Sequence, residues 1–157
     1  MSVIPGETMT AKRIDPLATF KFYVEVEDII KAEFTECSGL ELTNDVFEYQ
    51  EGGLNEYSHK LPGRTKLSNV TLKRGFAISN DLYKWYLGMR DSLLADEVVK
   101  FRKVTITLRS TADQEALMIW TLNRAFPVKW EGPALRSGEA AVSIETLEFA
   151  HHGILLS

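Results

Sequence analysis

Phe20-Lys21-Phe22-Tyr23-Val24-Glu25-Val26-Glu27 is the stretch that decides the fold class. Phe20, Phe22, Val24 and Val26 alternate with Lys21, Tyr23, Glu25 and Glu27, which is the period of a half-buried strand. On a helix the same residues would scatter around the axis and leave no apolar face. Further along, Val104, Ile106 and Leu108 alternate in the same way with Lys103, Thr105, Thr107 and Arg109. The segments between and beyond them read as further strands. A short second strand covers about Ala32 to Cys37, Ser38-Gly39 marks a turn or bulge, and Leu40 to Gln50 forms a third. Gly52-Gly53 breaks that strand, Leu54 to Leu61 returns as a fourth, and Pro62-Gly63 ends it. Leu67 to Phe76 is a fifth, with Val70 and Leu72 on one face. After a polar turn at Ser110 to Gln114, Ala116 to Phe126 runs back, and Pro127 to Trp130 and Ala140 to His151 supply the last strands.

One segment has helical spacing. Leu82, Trp85, Tyr86, Met89 and Leu93 form a single apolar stripe that runs to about Ala95. Ser79 or Asn80 can cap it, and Asp81 sits where the helix dipole favours a carboxylate. The expected class is therefore mainly β, a two-sheet β-sandwich or barrel with one flanking α-helix. Met1 to Pro16 carries two prolines and no apolar period, so residues 1–16 read as an N-terminal arm and residues 17–157 as one domain. Several strands are apolar on both faces: Leu117 and Ile119 oppose Met118 and Trp120. A free-standing sandwich alternates more cleanly, which points to burial of a second face against another copy.

With 157 residues, 45% of them hydrophobic and 25% charged, the chain can bury a core without a disulfide or metal staple. A formal net charge of -4 gives no global attraction to nucleic acid or anionic membrane. Cys37 is the single cysteine, so no disulfide forms within the chain and a reducing site of folding is the simplest reading. No signal-peptide pattern opens the sequence and no apolar run approaches the roughly 18 residues of a membrane span. The expectation is assembly in the cytoplasm without direct membrane insertion.

Groups able to converge on a reaction are few. His59, His151 and His152 are the histidines, and neighbours on a strand point to opposite faces, which disfavours a shared metal ion. Gly52-Gly53 and Pro62-Gly63 lack the Gly-Lys-Ser/Thr continuation of a phosphate loop, and Gly39 lacks the other glycines of a dinucleotide fingerprint. Cys37 lies in an apolar strand, as a small core residue does. Glu25 with Glu27 and Glu145 with Glu148 read as solvated or interface charges. Lys60, Arg64 and Lys66 cluster around Pro62, with Lys73-Arg74 following; subunit-to-subunit ion pairing or a lumen charge explains them as simply as nucleic-acid contact does. No enzyme, cofactor or metal chemistry is expected.

A series of short turns is more specific. Ser38-Gly39-Leu40 is followed by Tyr49-Gln50-Glu51-Gly52-Gly53, Lys60-Leu61-Pro62-Gly63 and Leu72-Lys73-Arg74-Gly75. After the helix with Trp85 come Trp120 to Lys129, Ile144-Glu145-Thr146-Leu147-Glu148-Phe149 and His151-His152-Gly153. From Asp15 to Leu155 this order resembles the inner tube protein of contractile phage tails and of extracellular phage-tail-like injection systems. His152 departs from the series, where an acidic residue is expected.

The resemblance implies two packed sheets and a flanking helix, six copies closing into a ring with one continuous β-barrel, and rings stacking into a rigid conduit. Closure around a ring would remove exposed strand edges, and head-to-tail contacts would extend rings into a filament. It implies a mechanical role, in which sheath contraction drives the tube through a target envelope and a protein effector or DNA passes along it. Implied partners are further copies of the chain, sheath, baseplate or hub, terminator, and a cargo or tape-measure protein in the lumen. Expected inter-subunit or stacking contacts are Tyr49, Glu51, Gly52, Gly53, Lys60, Leu61, Pro62, Gly63 and Arg64. Expected lumen-wall residues are Tyr57, Lys73 and Arg74, and the polar face of the helix is expected to look toward the sheath. The tube protein of a type VI secretion system is the alternative, and a monomeric β-barrel binding module is a more distant one.

Overall fold

A computed structural model describes residues 19–50, 52–53, 58–75, 79–135, 137–138 and 143–157. The expected arm over 1–16 lies outside them. The strands are β1 (Phe20–Val26), β2 (Ile30–Phe34), β3 (Glu36–Ser38), β4 (Leu42–Tyr49), β5 (His59–Leu67) and β6 (Val70–Gly75). Helix α1 (Asp81–Leu94) follows, then β7 (Arg102–Ser110), β8 (Ala116–Glu131), β9 (Ile144–Ala150) and β10 (Gly153–Leu156). The class is the expected one, mainly β with one helix.

Eight strands form one sheet in the order β2-β1-β7-β8-β9-β6-β3, with β10 also paired to β8. The two ends of that order, β2 and β3, are separated in the chain by Thr35 alone. Its N–H donates to the Lys73 carbonyl of β6 at 2.9 Å and its hydroxyl to the same oxygen at 3.0 Å. The sheet therefore curls until one chain segment joins its two edges, which leaves few strand edges open. The sequence pattern predicts one strand over Ala32 to Cys37. The structure splits it because its first half pairs with β1 and its second half with β6.

β8 carries the turn between layers. Its first part pairs with β7 as far as Ala125 and with β10 as far as Asn123, and its second part pairs with β9 from Phe126 onward. The corner is at Arg124, whose φ of 50 is a left-handed conformation that bends the strand. Pro127 does not start a separate strand, as its ring suggests. It stays within β8, beyond the last residue paired with β7, next to a register shift before Lys129. β10 is absent from the sequence reading. It reaches β8 because His151 and His152 make the matching corner, and the His152 N–H donates to the Asn123 carbonyl at 2.8 Å.

The core lies between the layers. Val24, Val26, Val104, Ile106 and Leu122 from one side meet Val70, Leu72, Leu147 and Phe149 from the other, all buried. Alternate residues of β1, β7, β6 and β9 thus supply the interior, as period-two patterning requires. Helix α1 packs on β8; Leu82 and Trp85 are buried, the Trp85 ring 6.1 Å from Phe149 and the Tyr83 ring 4.9 Å from Trp130. Its apolar stripe is used only in the first half of the helix. Leu93, expected to pack, is 61% exposed.

Candidate assembly surface

β4 and β5 stand apart from the eight-stranded sheet as a two-stranded antiparallel hairpin. Its base is fixed at Gly39, with φ +89, where an added Cβ would come within 2.1 Å of the Asn69 carbonyl oxygen. Only glycine can make that approach in that conformation. The strands pair from Leu42↔Leu67 to Tyr49↔His59.

The expectation that Pro62-Gly63 ends a strand is overturned. β5 continues through it to Leu67, with Pro62 opposite Val46. Among the described residues β5 pairs with β4 alone, so it is an edge strand, where proline is tolerated. The register shift between Asn44 and Val46 places Gly63 and Arg64 against the single residue Asp45, a β-bulge. Gly63 is required by this geometry, since an added Cβ would lie 2.8 Å from the Phe47 ring and 2.9 Å from the Asp45 carbonyl oxygen.

Pairing residues alternate between two faces. One carries Leu42, Val46, Pro62 and Leu67, with the Thr65 hydroxyl donating to Asn44 Oδ1 at 2.7 Å. The other carries Phe47 opposite Leu61 and Tyr49 stacked on His59 at 5.3 Å. Large apolar side chains are exposed on both: Val46 59%, Phe47 63%, Leu61 52%. A lone two-stranded hairpin is marginal in water, and one with two apolar faces is an incomplete structure. The ion pairs Lys60–Glu48 at 3.8 Å and Lys66–Asp45 at 2.9 Å are solvent-exposed and contribute little.

The structure gathers Tyr49, Lys60, Leu61, Pro62, Gly63 and Arg64 on this one projection, and Gly52-Gly53 forms the turn, Gly53 with φ +103. Glu51 and Tyr57 lie outside the described residues. Leu42, Val46 and Phe47 belong to the same surface and were missed as site residues, although they sit in the predicted third strand without the alternation of a half-buried strand. The two remaining candidates part company. Lys73 is on an outward face of β6, 3.6 Å from Glu36.

Arg74, expected on a lumen wall, is buried instead. It follows Val70 and Leu72 on the inward face, its Nε donating to Glu145 Oε2 at 3.0 Å and its guanidinium 5.5 Å above the Phe34 ring. Trp130 Nε1 donates to Glu145 Oε1 at 2.8 Å. Glu145, expected to be solvated or at an interface, is thus the centre of an interior polar network. His151 is buried with Nε2 3.1 Å from the Ser68 carbonyl, whereas His152 is exposed. Burial pushes the Cys37 thiol up to about 11, which suppresses thiolate nucleophilicity.

The comparisons with known proteins agree with this architecture. The model of the T4-like virus tail tube protein gp19 family matches residues 18–155. Among solved structures, a chain from the sheath/tube terminator of the extracellular contractile injection system PVC is 26% identical, with TM-score 0.76 over 94% of this chain and 99% of that one. A chain from the tube-terminating cap of the anti-feeding prophage is 25% identical, with TM-score 0.75 over 96% and 98%. A type six secretion system protein shares the fold at 11% identity, with TM-score 0.63 over 88% and 83%. A comparison with curated protein sequences gives no significant match. The chain belongs to the T4-like tail tube protein family, a family of structural tube proteins.

Proposed function

We propose, from that membership, that this chain is the repeating subunit of the inner tube of a phage-tail-like contractile injection particle or phage tail. Copies close into six-membered rings that stack into a conduit, and contraction of a surrounding sheath drives the conduit through a target envelope. Its lumen passes a protein effector or DNA. The observation that carries this reading is the β4–β5 hairpin, unpaired with any other strand among the described residues and apolar on both faces. Leu42, Val46, Phe47, Tyr49 and Leu61 are each 50% to 63% exposed. Covering them would contribute about 1 kcal/mol apiece, so on the order of 5 kcal/mol per subunit before the cost of association. That is enough to favour repeated contacts held in a ring and too little for a tight isolated dimer.

The hairpin then serves as the connector to the adjacent subunit or ring. Outward residues of β6, Lys73 among them, are the remaining lumen-wall candidates, with Tyr57 as the second. Sheath, baseplate and terminator proteins are the other partners, and the subunit assembles in the cytoplasm before it joins the particle. No helix among the described residues is long and apolar enough to cross a membrane. The type VI secretion tube shares the fold, but the Glu51-Gly52-Gly53 and Leu61-Pro62-Gly63 segments favour the phage-tail type.

Negative-stain electron microscopy of the purified protein, with its mass in solution, tests the reading. Rings or stacked tubes are expected. Glu51→Ala combined with Arg64→Ala should leave the subunit folded and weaken rings or stacks. A chain that stays monomeric even with a baseplate template would rule the tube reading out.

A further inference from the structure

The antiparallel register of β1 and β7 sets Lys21 directly opposite Arg109. Like charges in that position repel, so the pair weakens the sheet unless something answers it. Glu33 of β2 answers one of the two, its Oε1 lying 3.1 Å from Lys21 Nζ. Arg109 has no carboxylate partner among the described residues, and its Nε is buried without an acceptor. Its guanidinium lies 4.8 Å above the Tyr23 ring, which holds the group in place without cancelling its charge. Buried donors left unanswered are rare and call for a specific cause.

Lys21, Tyr23 and Arg109 line a recess of about 180 Å³ together with Ser110, Thr111 and Gln114 of the β7–β8 turn. That turn is braced. Gln114 has a φ of 54 and its N–H donates to the Ser110 carbonyl at 3.0 Å, while the Thr111 hydroxyl donates to the Thr19 carbonyl at 2.9 Å. Ser110 Oγ accepts the Ala112 N–H at 3.3 Å, which leaves its own hydrogen to donate elsewhere. The Gln114 amide makes no side-chain bond among the described residues. No carboxylate is among the described lining residues, and Asp113 on the same turn accepts the Glu115 N–H at 3.2 Å. Two cations and two neutral donors therefore meet here in a chain of net charge -4.

We propose that this recess binds a phosphate group, either the free ion or one carried on a larger molecule. A carboxylate offers two oxygens in one plane, which a guanidinium fork alone can satisfy. A tetrahedral phosphate presents oxygens in several directions and can use the guanidinium, the ammonium, the Ser110 hydroxyl and the Gln114 amide together. Glu33 takes only part of the Lys21 ammonium, whose three hydrogens leave a donor for a second acceptor. A bound dianion also removes the repulsion between Lys21 and Arg109, so occupancy stabilises the β1–β7 pair. The site is made by these residues within one subunit and is independent of the tube reading.

Thermal unfolding in phosphate and in chloride at matched ionic strength tests the site, with Arg109→Gln beside the unaltered protein. Phosphate also stabilises proteins by exclusion from their surface, so the readout is the difference between the two chains. At ten times the dissociation constant, the unaltered midpoint should rise by about 3–6 °C more than that of Arg109→Gln. An equal rise in both would overturn the proposal. Arg109→Lys keeps the charge and loses the fork, and it serves if the glutamine variant does not fold. Its phosphate affinity should fall at least about tenfold in calorimetric titration. Unaltered protein with no saturable phosphate uptake in that titration sinks the site without any variant. Acetate bound as tightly as phosphate would assign the recess to carboxylates and defeat the proposal. A nucleoside monophosphate bound more tightly than inorganic phosphate supports a phosphate carried on a larger molecule, and equal affinity supports the free ion.

Discussion

Arg74→Met tests whether the interior of the barrel is organised by the Arg74–Glu145–Trp130 network. The ion pair is 3.0 Å long, and its side chains are 6% and 2% exposed. Removing the guanidinium leaves the Glu145 carboxylate buried with the Trp130 N–H as its one remaining partner in this network. Breaking a buried pair from one side costs about 3–5 kcal/mol, because the surviving charge is uncompensated. Against a domain stability of roughly 5–15 kcal/mol that is a large share. With a urea dependence of about 2 kcal/mol per molar, the unfolding midpoint should fall by about 1.5–2.5 M. The measurement is made at concentrations where the chain is monomeric, since assembly adds to apparent stability. Arg74→Met with Glu145→Leu should recover much of the loss, leaving about 1–3 kcal/mol for the Trp130 N–H deprived of its acceptor. A single variant within about 1 kcal/mol of the parent, or a double variant no better than the single, would refute the reasoning.

Three other outcomes follow from the geometry. Phe47→Ala with Leu61→Ala should leave the circular dichroism spectrum and melting within about 0.5 kcal/mol of the parent, yet suppress ring formation in negative stain, because both side chains face solvent in the free subunit. Gly39→Ala should destabilise the subunit by at least about 2 kcal/mol in urea unfolding, from left-handed strain together with the clash at the Asn69 carbonyl. Alkylation of Cys37 at pH 8 should run about 100-fold slower than that of a free thiol, since burial raises its pKa from 9.0 to about 11 and lowers the thiolate fraction accordingly; a rate within tenfold of the free thiol would contradict that burial.

The class of the fold was legible in the sequence wherever one face of a strand meets the core and the other meets water. Phe20 to Val26 and Arg102 to Ser110 are such strands, and β1 falls within the stretch Phe20 to Glu27 that the alternation marks. Helix α1 was legible from its stripe, although the sequence could not show which of its turns the core covers, so Leu93 was expected inside. The hairpin surface was legible as a set of turn residues, since Gly52-Gly53 and Gly63 answer to local backbone demands. Its apolar faces were not, because Val46 and Phe47 look like core residues until the sheet they might have joined is seen to close without them.

Sequence alone determined what depends on near neighbours along the chain: the period-two strands, the helix start near Asp81, and the glycines that turn or bulge the backbone. Tertiary structure alone decided what depends on distant partners. Thr35 becomes the seam of a curled sheet only because β6 lies beside it, and Pro127 stays inside β8 only because β7 has already left that edge. Arg74 and Glu145 look like surface charges in isolation, as charged residues usually are. They lie 71 positions apart, and antiparallel pairing of β6 with β9 sets them opposite each other on the inward face. A charge can be buried there because its partner is buried with it, and the partner is fixed by strand register, which no local pattern records.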